Sequence, residues 1–127
     1  KEIDRHFDVN AKGTILGTQL VAGQMIAQGY GHIINICSMT AFFPTPGLSL
    51  YTASKAAIRA FSLAVAYELK QKKIDLSMVY PYVVQTKMLE KQKKYKEAAA
   101  TFAATIRLTA KEVSYVIVNK VFTKKPF

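Results

Sequence analysis

Residues 38–55 read SMTAFFPTPGLSLYTASK. They join an apolar run, His32-Ile33-Ile34-Asn35-Ile36-Cys37, to a helical pattern that opens near Tyr51. Helical spacing sets Tyr51 and Lys55 at i and i+4, on one face and one turn apart. Ser38 lies thirteen positions before Tyr51, where the apolar run ends. A hydroxyl, a phenol and an ammonium are therefore expected to converge at the carboxyl end of a strand, where open α/β sheets take their ligands. A Tyr-x-x-x-Lys pair alone occurs in many helices by chance. The serine thirteen positions upstream, the Pro46-Gly47 turn and Ser54 beside Lys55 make the pattern specific.

Upstream, Glu2 to Gln28 has the spacing of one long helix. Phe7, Ala11, Ile15, Ala22 and Ile26 form one series, and Leu16, Leu20 and Ala27 another. Apolar residues reach nearly all the way round, which predicts burial on two sides, by a sheet and by another helix. Gly13 and Gly17 permit a close backbone approach, and Gly29-Tyr30-Gly31 ends the helix. His32 to Cys37, rich in Ile, fits a strand buried on both faces of a parallel sheet. Met39 to Leu50 is a loop in which Phe42 and Phe43 either line a pocket or pack beneath it.

Downstream, Tyr51 to Lys72 is a second helix with a small-residue stripe of Ala53, Ala57, Ala60, Phe61, Ala64 and Val65. Ile74 to Tyr80 is a second strand, and the order helix, strand, helix, strand implies parallel, right-handed crossovers. Five lysines lie between Lys87 and Lys96, as expected of a solvated helix face; the alternative is contact with a phosphate or an acidic carrier protein. Thr109-Ala110-Lys111-Glu112 matches a capping box, and Val113, Val116, Ile117, Lys120 and Val121 continue a helix.

Length sets one domain, 1–127, as the ceiling. An apolar fraction of 50% excludes disorder, and no apolar run reaches the roughly 18 residues of a membrane span. Eighteen Lys and Arg against eight Asp and Glu give a net charge of +10. The lysines cluster at a helix end, in 87–96 and at Lys124-Lys125, so a nucleic-acid partner is not expected. Cys37 is the only cysteine, which excludes an internal disulfide and makes a reducing, cytoplasmic setting the default. Its apolar strand marks it as a structural thiol. Neither His6 nor His32 has the Ser and Asp partners of a hydrolase triad, and no ligand cluster suggests a metal.

Ser38, the segment Tyr51-Thr52-Ala53-Ser54-Lys55 and the preceding strand resemble the active-site segment of the short-chain dehydrogenase/reductases. The resemblance runs from about Asn10 to Thr86 and continues more loosely to the end. It implies an α/β, Rossmann-like doubly wound parallel sheet of which only the second, C-terminal half is present. It implies hydride transfer between NAD or NADP and a small-molecule alcohol or carbonyl, in a homodimer or homotetramer. In Asp8-Val9-Asn10, Asn10 resembles the fourth catalytic residue, twenty-eight positions before Ser38. The alternative is an asparagine satisfied by neighbouring backbone. Pro81-Tyr82-Val83-Val84-Gln85-Thr86 resembles the segment beside the nicotinamide: Pro81, Val84 and Thr86 match, and Tyr82 replaces a usual glycine. Tyr51 and Lys55 also contact the cofactor by resemblance, Lys55 at the ribose. Asn10, likewise by resemblance, anchors a water that links the lysine to solvent.

The chemistry follows from residue type. Tyr51 is a general acid for carbonyl reduction, or a base in the oxidative direction. A free phenol has a pKa of about 10, and a positive charge at Lys55 is expected to lower it. The Ser38 hydroxyl can donate to the substrate oxygen. The chain has no Gly-rich dinucleotide turn and no selector for the adenosine ribose, so NAD and NADP stay undivided. The residues are then an excerpt of a longer protein, or a truncated remnant whose two long helices form an association surface.

Overall fold

The Ile-rich run forms β1 (Gly31–Ile36) in the computed structural model, which describes residues 1–92, 95, 96, 103 and 105–123. It pairs in parallel with β2 (Ile74–Val79), Ile33 opposite Leu76 and Asn35 opposite Met78. Between them lies the crossover helix α3 (Ser49–Lys70). Before them, one continuous helix runs as α1 (Glu2–His6), a π-helical segment (Phe7–Lys12) and α2 (Gly13–Gln28). The expected helix Glu2–Gln28 is thus present, but its second turn is wider than α. Gly29 ends it with φ 83°, a left-handed conformation that glycine adopts without penalty. A Cβ on Gly31 would collide with the Met25 side chain, so the turn back onto the sheet needs glycine twice.

Both long helices lie on one face of the β1–β2 pair. Ala22 of α2, Ile33 of β1, Leu69 of α3 and Ile74 of β2 form one buried cluster, flanked by Met25, Val65 and Leu76. Ile58 and Ile74 are each 1% exposed, and full burial of such a side chain is worth roughly 1.5–3 kcal/mol. In the middle of this apolar layer sits Asn35. Its Nδ2 donates to Ser62 Oγ of α3 at 2.8 Å and to Thr18 Oγ1 of α2 at 3.3 Å, and its Oδ1 lies 3.4 Å from the Thr18 hydroxyl. Asn35, Thr18 and Ser62 are all buried.

Several expectations change here. α3 begins two residues before Tyr51 and ends at Lys70, because Lys73 turns the chain with φ 62°. Its buried stripe is Ser54, Ile58, Ser62 and Leu69, whereas Ala53, Ala60 and Ala64 are exposed. The alanines therefore face away from the sheet. Gly17 has nothing within 4 Å of a built Cβ, and Leu16 and Leu20 are exposed, so α2 is covered on one side only among the described residues. Nor is β1 buried on both faces. On its second face His32 bonds Ser77 and meets the Phe122 ring edge-on, while Ile36 is exposed.

After β2, Val84–Gln85 (β3) pairs in parallel with Leu108–Thr109 (β4), a two-residue ladder that hydrophobic periodicity does not reveal. Between them α4 (Lys87–Gln92) buries Leu89 and exposes Lys87 and Lys91, the solvated face expected there. Lys93, Lys94 and residues 97–102 lie outside the described residues. The capping box is present: Thr109 Oγ1 accepts from the Glu112 N–H and Glu112 Oε2 accepts from the Thr109 N–H, opening α5 (Ala110–Val116). A π-helical turn, Ile117–Val121, continues it. Among the described residues, no helix is long and apolar enough to cross a membrane.

The Asn35 network generates a stability prediction. Asn35→Ala leaves two buried hydroxyls without their partner, each at a cost of roughly 1–3 kcal/mol, part of which their own helix carbonyls recover. The urea midpoint should fall by the equivalent of about 2–3 kcal/mol. A change below about 0.5 kcal/mol would mean that the hydroxyls satisfy themselves within α2 and α3.

Candidate active site

The sheet hands the chain to the site at Ser38. Pairing continues past β1, with the Cys37 N–H on the Val79 carbonyl at 2.8 Å and the Met39 N–H on the Pro81 carbonyl at 3.2 Å. Ser38, extended and 8% exposed, then caps a short 3-10 turn, Met39–Ala41. Its Oγ accepts from the Thr40 N–H at 3.3 Å and from the Thr40 hydroxyl at 3.0 Å. The two phenylalanines divide their roles. Phe43 lines the cleft, while Phe42 packs between the Tyr80 ring at 4.7 Å and the Arg59 guanidinium at 4.5 Å.

A cleft of about 580 Å³ opens at the carboxyl ends of β1 and β2. Ser38, Tyr51, Lys55, Pro81, Val84 and Thr86 all line it. Tyr51 sits in the first turn of α3, and Lys55 one turn on lays its Nζ 5.8 Å from the Tyr51 ring centroid. The Lys55 ammonium donates to the Ile36 carbonyl at 3.1 Å, which ties α3 to the end of β1. Asn10 does not line this cleft. It lines a neighbouring one of about 750 Å³, which shares Leu48, Tyr51, Met88 and Gln92 with the first.

Asn10 nevertheless reaches α3. Its Nδ2 donates to Ser54 Oγ at 3.0 Å, and the Ser54 hydroxyl donates to the Tyr51 carbonyl at 2.7 Å. The Asn10 carbonyl accepts from the Thr14 hydroxyl at 2.7 Å. Asn10 is thus satisfied mainly through Ser54, a fully buried side chain between Tyr51 and Lys55. The Tyr-x-x-Ser-Lys spacing that flags the motif also carries this link, because Ser54 must face inward when Tyr51 and Lys55 face the cleft.

The electrostatics differ from the simple expectation. Burial pushes the Tyr51 phenol up from its ordinary value, and the Ser38 hydroxyl beside it pulls the other way without cancelling the rise. Burial also pushes the Lys55 ammonium down. The expected lowering of Tyr51 by Lys55 is not present in this arrangement, in which the ammonium is directed to the Ile36 carbonyl. Burial likewise holds the Cys37 thiol up, and its Sγ bonds the Lys55 carbonyl at 3.2 Å, as befits a structural cysteine.

The profile of the family described as "short chain dehydrogenase" matches residues 1–97. Over 88 residues the chain is 41% identical to a very-long-chain 3-oxoacyl-CoA reductase of Anas platyrhynchos, covering 69% of this chain and 28% of that protein. Over 90 residues it is 36% identical to cyclopentanol dehydrogenase of Comamonas testosteroni, covering 71% of this chain and 36% of that one. Its structure superposes on acetoin dehydrogenase from Enterobacter cloacae with a TM-score of 0.78 at 26% identity, over 98% of this chain and 51% of that chain. The chain belongs to the short-chain dehydrogenases, a family of NAD(P)-dependent oxidoreductases with a Rossmann-like α/β fold. It spans roughly a quarter to a half of the length of these relatives.

The local electrostatics set an outcome for titration. Because a hydroxyl that donates to the phenolate favours ionisation, Ser38→Ala should raise the Tyr51 pKa further above the ordinary tyrosine value. Carbon-13 tyrosine NMR, with Tyr51 assigned by its loss in Tyr51→Phe, reads this directly. A fall, or no change, would show that Ser38 does not donate to Tyr51.

Proposed function

We propose that the chain is the catalytic, C-terminal half of a single Rossmann domain in an NAD(P)-dependent alcohol dehydrogenase or carbonyl reductase. The observation that carries this reading is the single cleft shared by Ser38, Tyr51 and Lys55 at the ends of parallel strands. Tyr51 gives a proton to the carbonyl oxygen in reduction and takes it back in oxidation. Ser38 holds that same oxygen by donating to it. Asn10 acts through Ser54 on the first turn of α3 and so on where Tyr51 stands.

The cleft fits the nicotinamide end of the dinucleotide. Pro81, Val84 and Thr86 give it one wall, and Lys55 has donors left beyond its bond to the Ile36 carbonyl with which to hold a ribose hydroxyl. When bound, the cofactor supplies or accepts the hydride. Met39, Phe43, Leu48 and Met88 make the rest of the wall apolar, which keeps water from the reacting oxygen. NAD and NADP remain equal candidates. The exposed outer surface of α2 and α3, with Leu16, Leu20 and Tyr67, is proposed as the contact between two copies of the protein.

Tyr51→Phe keeps the ring and removes the titrating oxygen. Turnover by the intact protein should fall by about 10²–10⁴ or more, with cofactor binding near parental. Turnover within a few-fold of the parent would sink the assignment. Lys55→Met should weaken turnover and cofactor binding together. Since the phenol is held up, reduction should stay flat through neutral pH, and oxidation should climb as pH rises through the Tyr51 pKa. An oxidation profile that falls over that range would contradict Tyr51 as base. For the association surface, Leu20→Glu should shift the intact protein toward monomer in sedimentation. An unaltered mass distribution would move the contact elsewhere.

A further inference from the structure

We propose that Thr40 is a positioning residue for the reaction: by donating twice to Ser38 Oγ, it leaves the Ser38 proton free to reach only the substrate oxygen or Tyr51. The inference rests on the catalytic reading of Ser38 given above. A serine oxygen has two acceptor sites and one proton. The Thr40 N–H fills one acceptor site at 3.3 Å and the Thr40 hydroxyl the other at 3.0 Å. With both taken, Ser38 acts toward the cleft as a donor. Accepting two hydrogen bonds also polarises its own O–H and strengthens the bond it gives. The upward and downward influences on Tyr51 agree with this, since Ser38 is the neighbour that favours the phenolate.

The turn that presents Thr40 is held from three sides. Ser38 caps its start, and the Phe42 N–H closes it on the Met39 carbonyl at 3.0 Å. The Phe42 ring is packed between Arg59, one turn past Lys55 on α3, and Tyr80 at the end of β2. Thr40 is therefore fixed to the helix that carries Tyr51 and to the strand that leads into Pro81. A free hydroxyl on a loose loop would sample several rotamers, whereas this one is set on a braced turn that lines the cleft.

Thr40→Val isolates the hydroxyl. It keeps the shape and the backbone N–H to Ser38, so the turn has no reason to unfold. In the intact protein with a carbonyl substrate that it turns over, Thr40→Val should lower kcat about tenfold, the worth of one oriented hydrogen bond. Cofactor affinity should stay parental. Thr40→Ser should recover most of the loss. In a Ser38→Ala background the same Thr40→Val change should have no further effect, because its only route to the reaction is gone. Turnover of Thr40→Val within about twofold of the parent, or an equal loss in both backgrounds, would overturn the proposal. Tyr51→Phe run alongside separates the two layers. If it retains turnover, the catalytic reading itself fails. If it is inactive while Thr40→Val is parental, only the role of Thr40 falls.

Discussion

The amide of Asn35 holds the architecture in register. An apolar strand residue there would let α2 and α3 slide over the sheet, since hydrophobic contact is non-directional. The amide instead demands the Thr18 hydroxyl from one helix and the Ser62 hydroxyl from the other at hydrogen-bonding distance. A half-satisfied buried network is costly, so only a narrow range of helix positions is allowed. Two turns before Ser62, α3 carries Ser54, and two turns before Thr18 the first helix carries Asn10. The bond between Asn10 and Ser54 joins the same two helices again, nearer the site. The position of Tyr51 is fixed from the sheet outward.

Burial drives the phenol and the ammonium of the site in the same sense, toward the neutral forms. Spacing on a helix suggests a simple ion–phenol couple, because i and i+4 residues face the same way. The folded chain adds a competing acceptor, the Ile36 carbonyl at the end of β1, which no helical wheel can display. The Cys37 N–H of the same peptide is turned to β2, so the Ile36 carbonyl points to the other edge of β1, and a long flexible ammonium finds it. The cleft thus holds a neutral phenol and a lysine already steadied on one side.

What could be read from residue order was what depends on local period and on fixed offsets. The strand at His32–Cys37, the facing of Tyr51 and Lys55, the entry of Ser38 at the strand end and the Thr109–Glu112 box all follow from such offsets. The inner face of α3 could not be read that way. Alanines look like packing residues, yet the sheet side takes Ser54, Ile58, Ser62 and Leu69, because hydroxyls there bond the helix backbone or Asn35. Asn35 itself reads as part of an apolar run, since its partners lie 17 and 27 positions away. The β3–β4 ladder has two residues on each strand, too few for any period to show. The role of Thr40 depends on where two hydroxyl oxygens meet, which spacing alone does not specify.

The π-helical segment Phe7–Lys12 has one further consequence. A π turn is an α-helix with one residue too many, accommodated by hydrogen bonds that span five positions, as the Gly13 N–H reaching the Asp8 carbonyl does here. The segments on either side are thereby rotated relative to a regular helix by about 100°, the arc of one residue. The helix is in effect two phased cylinders with a clutch between them. Thr18 and Ala22 belong to the cylinder that grips the sheet; Glu2, Arg5 and His6 belong to the one that borders the second cleft. Losing a single residue from the clutch would return it to a plain α turn with both cylinders in their present phase. Closing it to α with all six residues kept would instead turn the second by about 100° and present a different set of side chains at the cleft rim. The width of this one turn is thus a dial for the rim's chemistry that leaves the core's phase untouched.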